Sequence, residues 1–362
     1  MAVWAYHRFR IPTYLPADMK TFSKKIHTHC VGRYLIDLPD DLGNPSVTFA
    51  VLYFGLGADF NSVEVRIPIE EDMDRAKFDK MVTLRRNELK KTFNASAGAM
   101  MLLAERRVET PNGDAVLLRR LDSKHLRNMT VQSELHAFVK GRYVILAAES
   151  FPPESAFNNR AADVYKLADP HDSEERLIRV AQQLKGITNP ELAGPGFCMN
   201  GVLIDQWLAR YDEEKVIFDF HAKGHIQPKL SISMEGKFGY GTETLFDRSD
   251  RLVGVVANLT NELLVRKIRK TERQIGGMAF QEWAHEAYRK DEKTTNYDFM
   301  IQNLAPSRED KRLERPSTSI VLESHGADSS KSSEYSLSQL EEAWDQWLST
   351  FRLSPGNGGK QR

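Results

Sequence analysis

The sequence predicts an α+β fold of two similar domains, each a mostly antiparallel sheet with helices packed on one side. At 362 residues, the chain exceeds the ~250–300 residues at which a single core stops growing. Its only two cysteines open similar phrases, Cys-Val-Gly-Arg-Tyr-Leu-Ile-Asp at 30–37 and Cys-Met-Asn-Gly-Val-Leu-Ile-Asp at 198–205. The segments after each phrase follow in the same order, which indicates an internal duplication. We therefore predict domains over 1–190 and 191–353, followed by a disordered tail over 354–362.

The first half of the chain alternates strand patterns with helical patterns. Val63, Val65 and Ile67 alternate with polar neighbours, which is the period of a half-buried strand. Pro111-Asn112-Gly113 and Lys140-Gly141 separate apolar runs, so each predicts a hairpin. The predicted elements are a helix over 17–27, strands over 31–38, 46–54 and 61–69, a helix over 72–93 with Phe93 on its core face, paired strands over 101–109 and 114–121 and over 129–138 and 142–150, and a helix over 173–186.

The second half repeats this order of elements. Gly276-Gly277 predicts a hairpin, and Ser336 followed by Gln339 is a capping box that starts the last helix. Hairpin-linked strands favour an antiparallel sheet, because parallel neighbours need long crossover connections. The predicted elements are strands over 197–205, 214–222, 228–235 and 319–324, and helices over 249–264 and 336–351.

Composition and charge exclude several classes of protein. The chain is 41% hydrophobic and 28% charged, with fifty basic and fifty acidic residues. This balance argues against a dedicated nucleic-acid binder, which would carry a basic excess. No apolar run approaches the ~18 residues of a transmembrane span, and no signal peptide opens the chain. Trp4-Ala-Tyr-His-Arg-Phe-Arg10 either flanks a missing export or anchor segment or is an ordinary N-terminal extension.

The search for catalytic motifs is negative. The sequence contains no Gly-x-Ser-x-Gly elbow and no phosphate-binding loop. His27-Thr-His29-Cys30 holds three metal-ligating residues, but a structural zinc needs a fourth ligand and no paired motif supplies it. We therefore expect no metal and no cofactor. For Cys30 and Cys198 we favour two buried free thiols over a disulfide, because two separate cores would keep their Cα atoms more than ~7 Å apart.

Two segments resemble a known family. They are His29-Cys-Val-Gly-Arg-Tyr-Leu-Ile-Asp-Leu-Pro39 and Arg269-Lys-Thr-Glu-Arg-Gln-Ile-Gly-Gly277. Both are similar to segments of the immunity proteins that neutralise the fourth family of lipase effectors of the bacterial type VI secretion system. The family's Gly-Glu-Glu after the second turn is not kept, since Gly277-Met-Ala-Phe-Gln-Glu282 stands there. A role for that acidic pair is therefore not implied for this chain.

The resemblance implies a non-enzymatic, claw-like protein of two domains that acts in the periplasm. Such a protein would bind a cognate phospholipase effector as a heterodimer and hold the lid over its active site, so that phospholipid cannot enter. Family members carry an N-terminal export or anchor segment, which implies that this segment is absent from the present chain.

A lid is amphipathic, so a protein that clamps it should offer apolar groups surrounded by charges. Loops at the sheet ends are the expected contact points, because binding residues concentrate on loops. We predict partner binding by Phe54 and Phe60 in the first half and by Phe238 and Tyr240 in the second. The alternative is that these aromatics fold back onto their own sheets.

Two other functions stay open from the residues alone. One is an enzyme with a site in the cleft between the domains, for which Asp37, Glu134 and His136 are the acid–base candidates. The other is an envelope scaffold that binds peptides or carbohydrate.

Overall fold

A computed structural model describes residues 20–43, 45, 47–55, 61–68, 73–123, 130–151, 169–205, 213–221, 228–235, 244–249, 263–303, 316–325 and 332–358. It confirms an α+β fold built mainly from antiparallel strands. The first half contains the elements β1 (Ile26–Gly32), β2 (Tyr34–Pro39), β3 (Val47–Phe54), β4 (Asn61–Arg66), α1 (Arg75–Lys91), β5 (Phe93–Asn94), β6 (Ala99–Met100), β7 (Leu102–Thr110), β8 (Gly113–Leu121), β9 (Val131–Val139), β10 (Arg142–Ser150), α2 (Pro170–Gln182) and β11 (Leu184–Gly186).

The second half follows the same plan. Its described elements are β12 (Phe197–Met199), β13 (Val202–Ile204), β14 (Glu213–His221), β15 (Lys229–Glu235), β16 (Leu263–Ile275), β17 (Met278–Arg289), β18 (Thr294–Asn303), β19 (Ser317–Glu323), α3 (Leu337–Thr350) and β20 (Arg352–Leu353). The predicted hairpins at Lys140-Gly141 and Gly276-Gly277 are confirmed, as is the capping box of Ser336 and Gln339.

Apart from β5 and β6, which pair only with each other, the described strands form two sheets that both halves share. The larger one has the order β16-β17-β18-β19-β15-β14-β3-β4-β10-β9-β8-β7, and the smaller one has the order β11-β13-β12-β1-β2-β20. Outward from the centre of the larger sheet, the strands of the first half have the order β3-β4-β10-β9-β8-β7. The strands of the second half have the order β14-β15-β19-β18-β17-β16, so each strand has a counterpart at the same position in the other half. The two halves therefore have the same connectivity, as the internal duplication predicts.

The halves meet around an approximate twofold axis. In the larger sheet Phe49 lies opposite Ile217, and in the smaller sheet Val31 lies opposite Met199. The members of each pair are the same distance apart in the chain as the two cysteines, 168 residues. Equivalent residues of the two repeats thus face each other in both sheets.

This arrangement joins Cys30 and Cys198 in a disulfide, so the prediction of two free thiols is wrong. That prediction assumed two separate sheets, whereas β1 and β12 are neighbours in one sheet. The two Cα atoms are 5.6 Å apart, within the usual range for a disulfide. The main hydrophobic core likewise contains side chains from both halves, for example Leu135 and Phe299.

Helices cover both faces of the larger sheet in the first half, which differs from the expected single side. Leu177 of α2 packs into the main core with Leu146 of β10. Phe78 of α1 packs on the other face, against Tyr143 of the same strand. The sequence indicates this coverage, because residues 143–148 of β10 form an unbroken apolar run. Strands that are covered on both faces do not alternate apolar and polar residues.

Several predicted boundaries also differ. Gly32 has a φ of +63° and starts a turn, so the strand predicted over 31–38 is instead the hairpin of β1 and β2. The predicted helix over 17–27 is absent from its described part, where β1 begins at Ile26. The helix predicted over 249–264 lies mostly outside the described residues. Residues 355–358, expected in a disordered tail, form a short 3-10 helix.

Candidate interaction surface

The structure describes one of the four predicted partner-binding residues. Phe54 ends β3 and is only 2% exposed, with the guanidinium of Arg176 stacked 4.6 Å from its ring centre. Its ring therefore packs in the main core and is not exposed to a partner. Phe60, Phe238 and Tyr240 lie outside the described residues.

The acid–base candidates Glu134 and His136 are neighbours on β9, both buried on the face that α1 covers. Arg85 of α1 donates two hydrogen bonds to the Glu134 carboxylate, at 3.0 and 2.8 Å. Burial would raise the pKa of Glu134, but its hydrogen bonds to His136, Arg85 and Arg120 outweigh this and hold the pKa well below its usual range. A carboxylate paired in this way stabilises the packing of α1 and is a poor general base.

The third candidate, Asp37, lies in the smaller sheet and is not brought near this pair. Its carboxylate accepts hydrogen bonds from Arg352 of β20, at 3.1 and 3.3 Å. The two histidines beside Cys30 have different surroundings. His27 lies 2.9 Å from Asp40. The pKa of His29 is lowered to about 4, mainly by burial and to a smaller extent by the charge of His27. Among the described residues, no group of His, Cys, Asp and Glu side chains has the geometry of a metal site.

The turn between β1 and β2 carries a buried ion pair between the halves. The Arg33 guanidinium donates to both carboxylate oxygens of Glu214, at 2.9 and 2.7 Å. Its third contact is the side-chain oxygen of Asn357, at 3.1 Å. Asn357 also accepts from the backbone N–H of Gly196 at 2.9 Å. This turn therefore ties both repeats and the C-terminal segment together.

The equivalent turn in the second half uses neutral groups. The side-chain amide of Asn200 donates to the hydroxyl of Thr48 at 2.7 Å, so each turn reaches the central strand of the other repeat.

The segment 269–277, which resembles the immunity-protein family, also makes contacts within the fold through Arg269 and Arg273. Arg269 lies 3.1 Å from the carboxylate of Glu282, which is fully buried and also accepts a hydrogen bond from the indole of Trp344 at 2.7 Å.

Exposed apolar side chains mark a different surface. Among the described residues, four of the six large hydrophobic residues that are exposed lie between residues 84 and 103. Phe93 and Met100 are a cross-strand pair of the short hairpin β5–β6, with exposures of 55% and 48%. Leu103, at 44%, is the bulged residue at the start of β7. We call Phe93, Met100 and Leu103 the hairpin patch.

Phe93 was expected on the core face of a helix over 72–93, and this expectation is wrong. The helix ends at Lys91, and Thr92 caps it in an extended conformation. The sequence contains a signal for this end, because basic residues in a last turn followed by a polar turn segment are typical of helix C-termini. Lys90-Lys91-Thr92 and Asn94-Ala-Ser-Ala-Gly98 fit that pattern.

Helix α1 beside the patch is strongly basic. Its seventeen residues include seven basic and two acidic ones, a net charge of +5 in a chain whose net charge is zero. Glu105 of β7 lies 3.1 Å from Arg86 and 3.3 Å from Lys90. Partial burial would raise the pKa of Glu105, but these two cations lower it. No helix in the described part of the chain is long and apolar enough to span a membrane.

Comparisons with known proteins match the chain along most of its length. The model of the Tle cognate immunity protein 4 N-terminal domain matches residues 27–188, and that of the C-terminal domain matches residues 193–356. A comparison with curated proteins finds no match.

Solved structures with the same fold are immunity proteins. The apo structure of the immunity protein TplEi of the T6SS from Pseudomonas aeruginosa is 19% identical with a TM-score of 0.59, over 91% of this chain and 97% of that one. A chain in the crystal structure of the Tle4–Tli4 complex is 18% identical with a TM-score of 0.60, over 91% of this chain and 98% of that one. TplEi complexed with "L" peptide is 18% identical with a TM-score of 0.57, over 92% and 99%. At these identities the likeness shows the fold alone.

Proposed function

The chain belongs to the Tle cognate immunity protein 4 family, and from this premise we propose that it binds and neutralises a cognate Tle effector. The observation that supports this proposal most strongly is that the two domain models of this family match the two halves of the chain in order. The Tle4–Tli4 complex supports the proposal, because it pairs a protein of this fold with a Tle partner.

The finer mechanism that we propose is a claw that clamps the lid of a phospholipase and keeps phospholipid out of its active site. In this proposal each repeat supplies one arm, and the predicted contact residues belong to the segments that follow β3 in the first half and β15 in the second. In this proposal Phe60, Phe238 and Tyr240 contact the lid, while the buried Phe54 anchors the first loop. The chain acts as a binder and performs no chemistry itself.

We propose the periplasm as the place of action. The disulfide of Cys30 and Cys198 supports this, because disulfides form and persist in oxidising compartments such as the bacterial periplasm. Fractionation of cells that express the natural protein would test it, with the protein recovered in the periplasmic or envelope fraction. Recovery of reduced protein from the cytoplasm alone would contradict it.

The function itself is tested by inhibition. The purified lipase encoded beside this gene is mixed with increasing amounts of the full chain, and hydrolysis of phospholipid vesicles is followed. We expect hydrolysis to fall to background near a one-to-one ratio. Hydrolysis that persists at saturating amounts of the chain would refute the proposal, and hydrolysis by the chain alone would favour the enzyme alternative.

The clamping loops are tested by Phe60→Ala and Tyr240→Ala. A central aromatic anchor contributes about 2 kcal/mol or more to binding, so we expect each variant to weaken lipase binding roughly thirtyfold. Isothermal titration calorimetry measures this. Affinities within threefold of the wild type at both positions would show that these loops are not the contact points.

A further inference from the structure

The hairpin patch is held in one conformation by the residues around it. Asn94, the neighbour of Phe93 in β5, is fully buried, and its amide donates to the carbonyl of Ser123 at 2.6 Å. Its side-chain oxygen accepts from the backbone N–H of Ala97 at 2.8 Å. Phe93 and Met100 are therefore displayed on a fixed hairpin, which lowers the entropic cost of binding a partner.

The hairpin also projects from the fold. A side chain added at Gly98, in its turn, would meet no atom within 4 Å. The backbone N–H of Met101 donates to the carbonyl of Thr92 at 2.9 Å, which connects the base of the hairpin to the end of α1. Adjacent exposed apolar side chains are unusual on a protein surface and mark contact sites.

The charges around the patch indicate what chemistry would bind there. Lys91 follows Lys90 in the last turn of α1, close to the base of the hairpin, and Lys80 lies about three turns earlier on the same helix. Neither Lys80 nor Lys91 has an ion-pair partner within the described ranges. An apolar centre with a cationic frame is complementary to apolar side chains flanked by carboxylates.

An anionic membrane is a poorer fit than a protein segment. Glu88 is exposed on α1, and Glu105 already pairs with both Arg86 and Lys90. A lipid surface would bring phosphates against every acidic group of this surface, whereas a folded partner can place single carboxylates opposite single lysines.

We infer that the hairpin patch binds a segment of the cognate effector that carries apolar side chains flanked by carboxylates. This inference rests on the proposed function and adds to it a contact surface on the first half, apart from the two clamping loops. The apolar side chains pack on Phe93 and Met100, and the carboxylates pair with lysines of α1.

The experiment compares two matched variants of the full chain with the wild type. Phe93→Ser/Met100→Ser removes the apolar pair, and Leu192→Ser removes an exposed leucine of 81% exposure between the two halves. The probe is the purified lipase encoded beside this gene, with binding measured by calorimetry and inhibition measured on phospholipid vesicles. We expect the double variant to bind at least tenfold more weakly, and Leu192→Ser to bind within twofold of the wild type.

A second variant keeps the apolar pair and changes only charge. Lys80→Glu/Lys91→Glu should slow association severalfold at low salt, and this difference should shrink as salt screens the charges. Unchanged melting temperatures would show that all variants are folded, as expected for exposed positions.

The possible failures differ from one another. If the wild type inhibits the lipase at one-to-one and both the double variant and the charge variant do so equally well, the inference is overturned and the proposed function stands. If the wild type does not inhibit the lipase, both fall. If the double variant keeps its lipase affinity but loses binding to phosphatidylglycerol vesicles, the surface is a membrane contact and the inference is overturned.

Discussion

The centre of the molecule and its two outer ends have diverged to different degrees. At the centre the repeats are equivalent, with Phe49 opposite Ile217 and Val31 opposite Met199. Away from the centre the charges differ, since α2 carries three acidic and two basic residues, whereas its counterpart α3 carries three acidic residues and no basic one. Pairing of strands across the axis constrains register, because a slip of one residue would turn every side chain to the other face. The outer surfaces carry no such constraint and can specialise.

Removal of Trp344 should have the largest effect on stability, and it tests the outer end of the second half. Trp344 is fully buried between α3 and the sheet, and its indole donates to the buried Glu282. We expect Trp344→Ala to lower the free energy of unfolding by roughly 3–5 kcal/mol. Urea denaturation measures this, with the exposed Leu84→Ala as the control. A loss below 1 kcal/mol would mean that α3 packs independently of the sheet.

The central turns give a comparison of a charged contact with a neutral one. Glu214→Ala leaves the Arg33 guanidinium buried without its carboxylate, which should cost roughly 3–5 kcal/mol. Asn200→Ala removes the equivalent neutral hydrogen bond to Thr48 and should cost about 1 kcal/mol. Equal losses in urea denaturation would show that charge does not distinguish the two turns.

The strands and the repeat could be predicted from the sequence, because alternation and turn residues are local signals. Gly276-Gly277 and Lys140-Gly141 are examples that became hairpins. The pairing of the two halves could not be predicted this way. β3 and β14 each read as half-buried strands, and no local pattern states that their edges pair with each other. The free-thiol prediction failed for this reason.

The candidate surface was predicted even less completely. Phe93 continues the helical spacing of Phe78 and Leu89, so periodicity alone assigns it to the core. Only the helix end at Lys91 separates it from that face. Exposure of an apolar side chain is a property of the assembled fold and has no signal of its own in the sequence.

Reduction of the disulfide tests how strongly the centre is held together. Cys30 and Cys198 close a loop across the axis, so their disulfide should contribute about 2–4 kcal/mol by restricting the unfolded chain. Unfolding with and without reductant measures this, and Cys30→Ser/Cys198→Ser is the control that should not respond to reductant. If the free energy of unfolding of the wild type is the same with and without reductant, the predicted stabilisation by this disulfide is contradicted.

The last comparison concerns the packing of the basic helix α1 on its sheet, and it depends on pH. Glu134 holds Arg85 of α1 and Arg120 of β8, and these contacts depress its pKa in the folded state. A depressed carboxylate pKa contributes stability above the unfolded-state pKa of about 4.3, and this contribution is lost as the pH falls towards the folded-state value. Between pH 7 and pH 3 the wild type should therefore lose on the order of 2 kcal/mol more than Glu134→Gln, which has no charge to titrate. Chemical denaturation at the two pH values measures the difference. Equal losses in the two proteins would show that α1 is held by its apolar contacts to Phe138 and Tyr143 alone, and that the basic helix needs no buried carboxylate to stay in place.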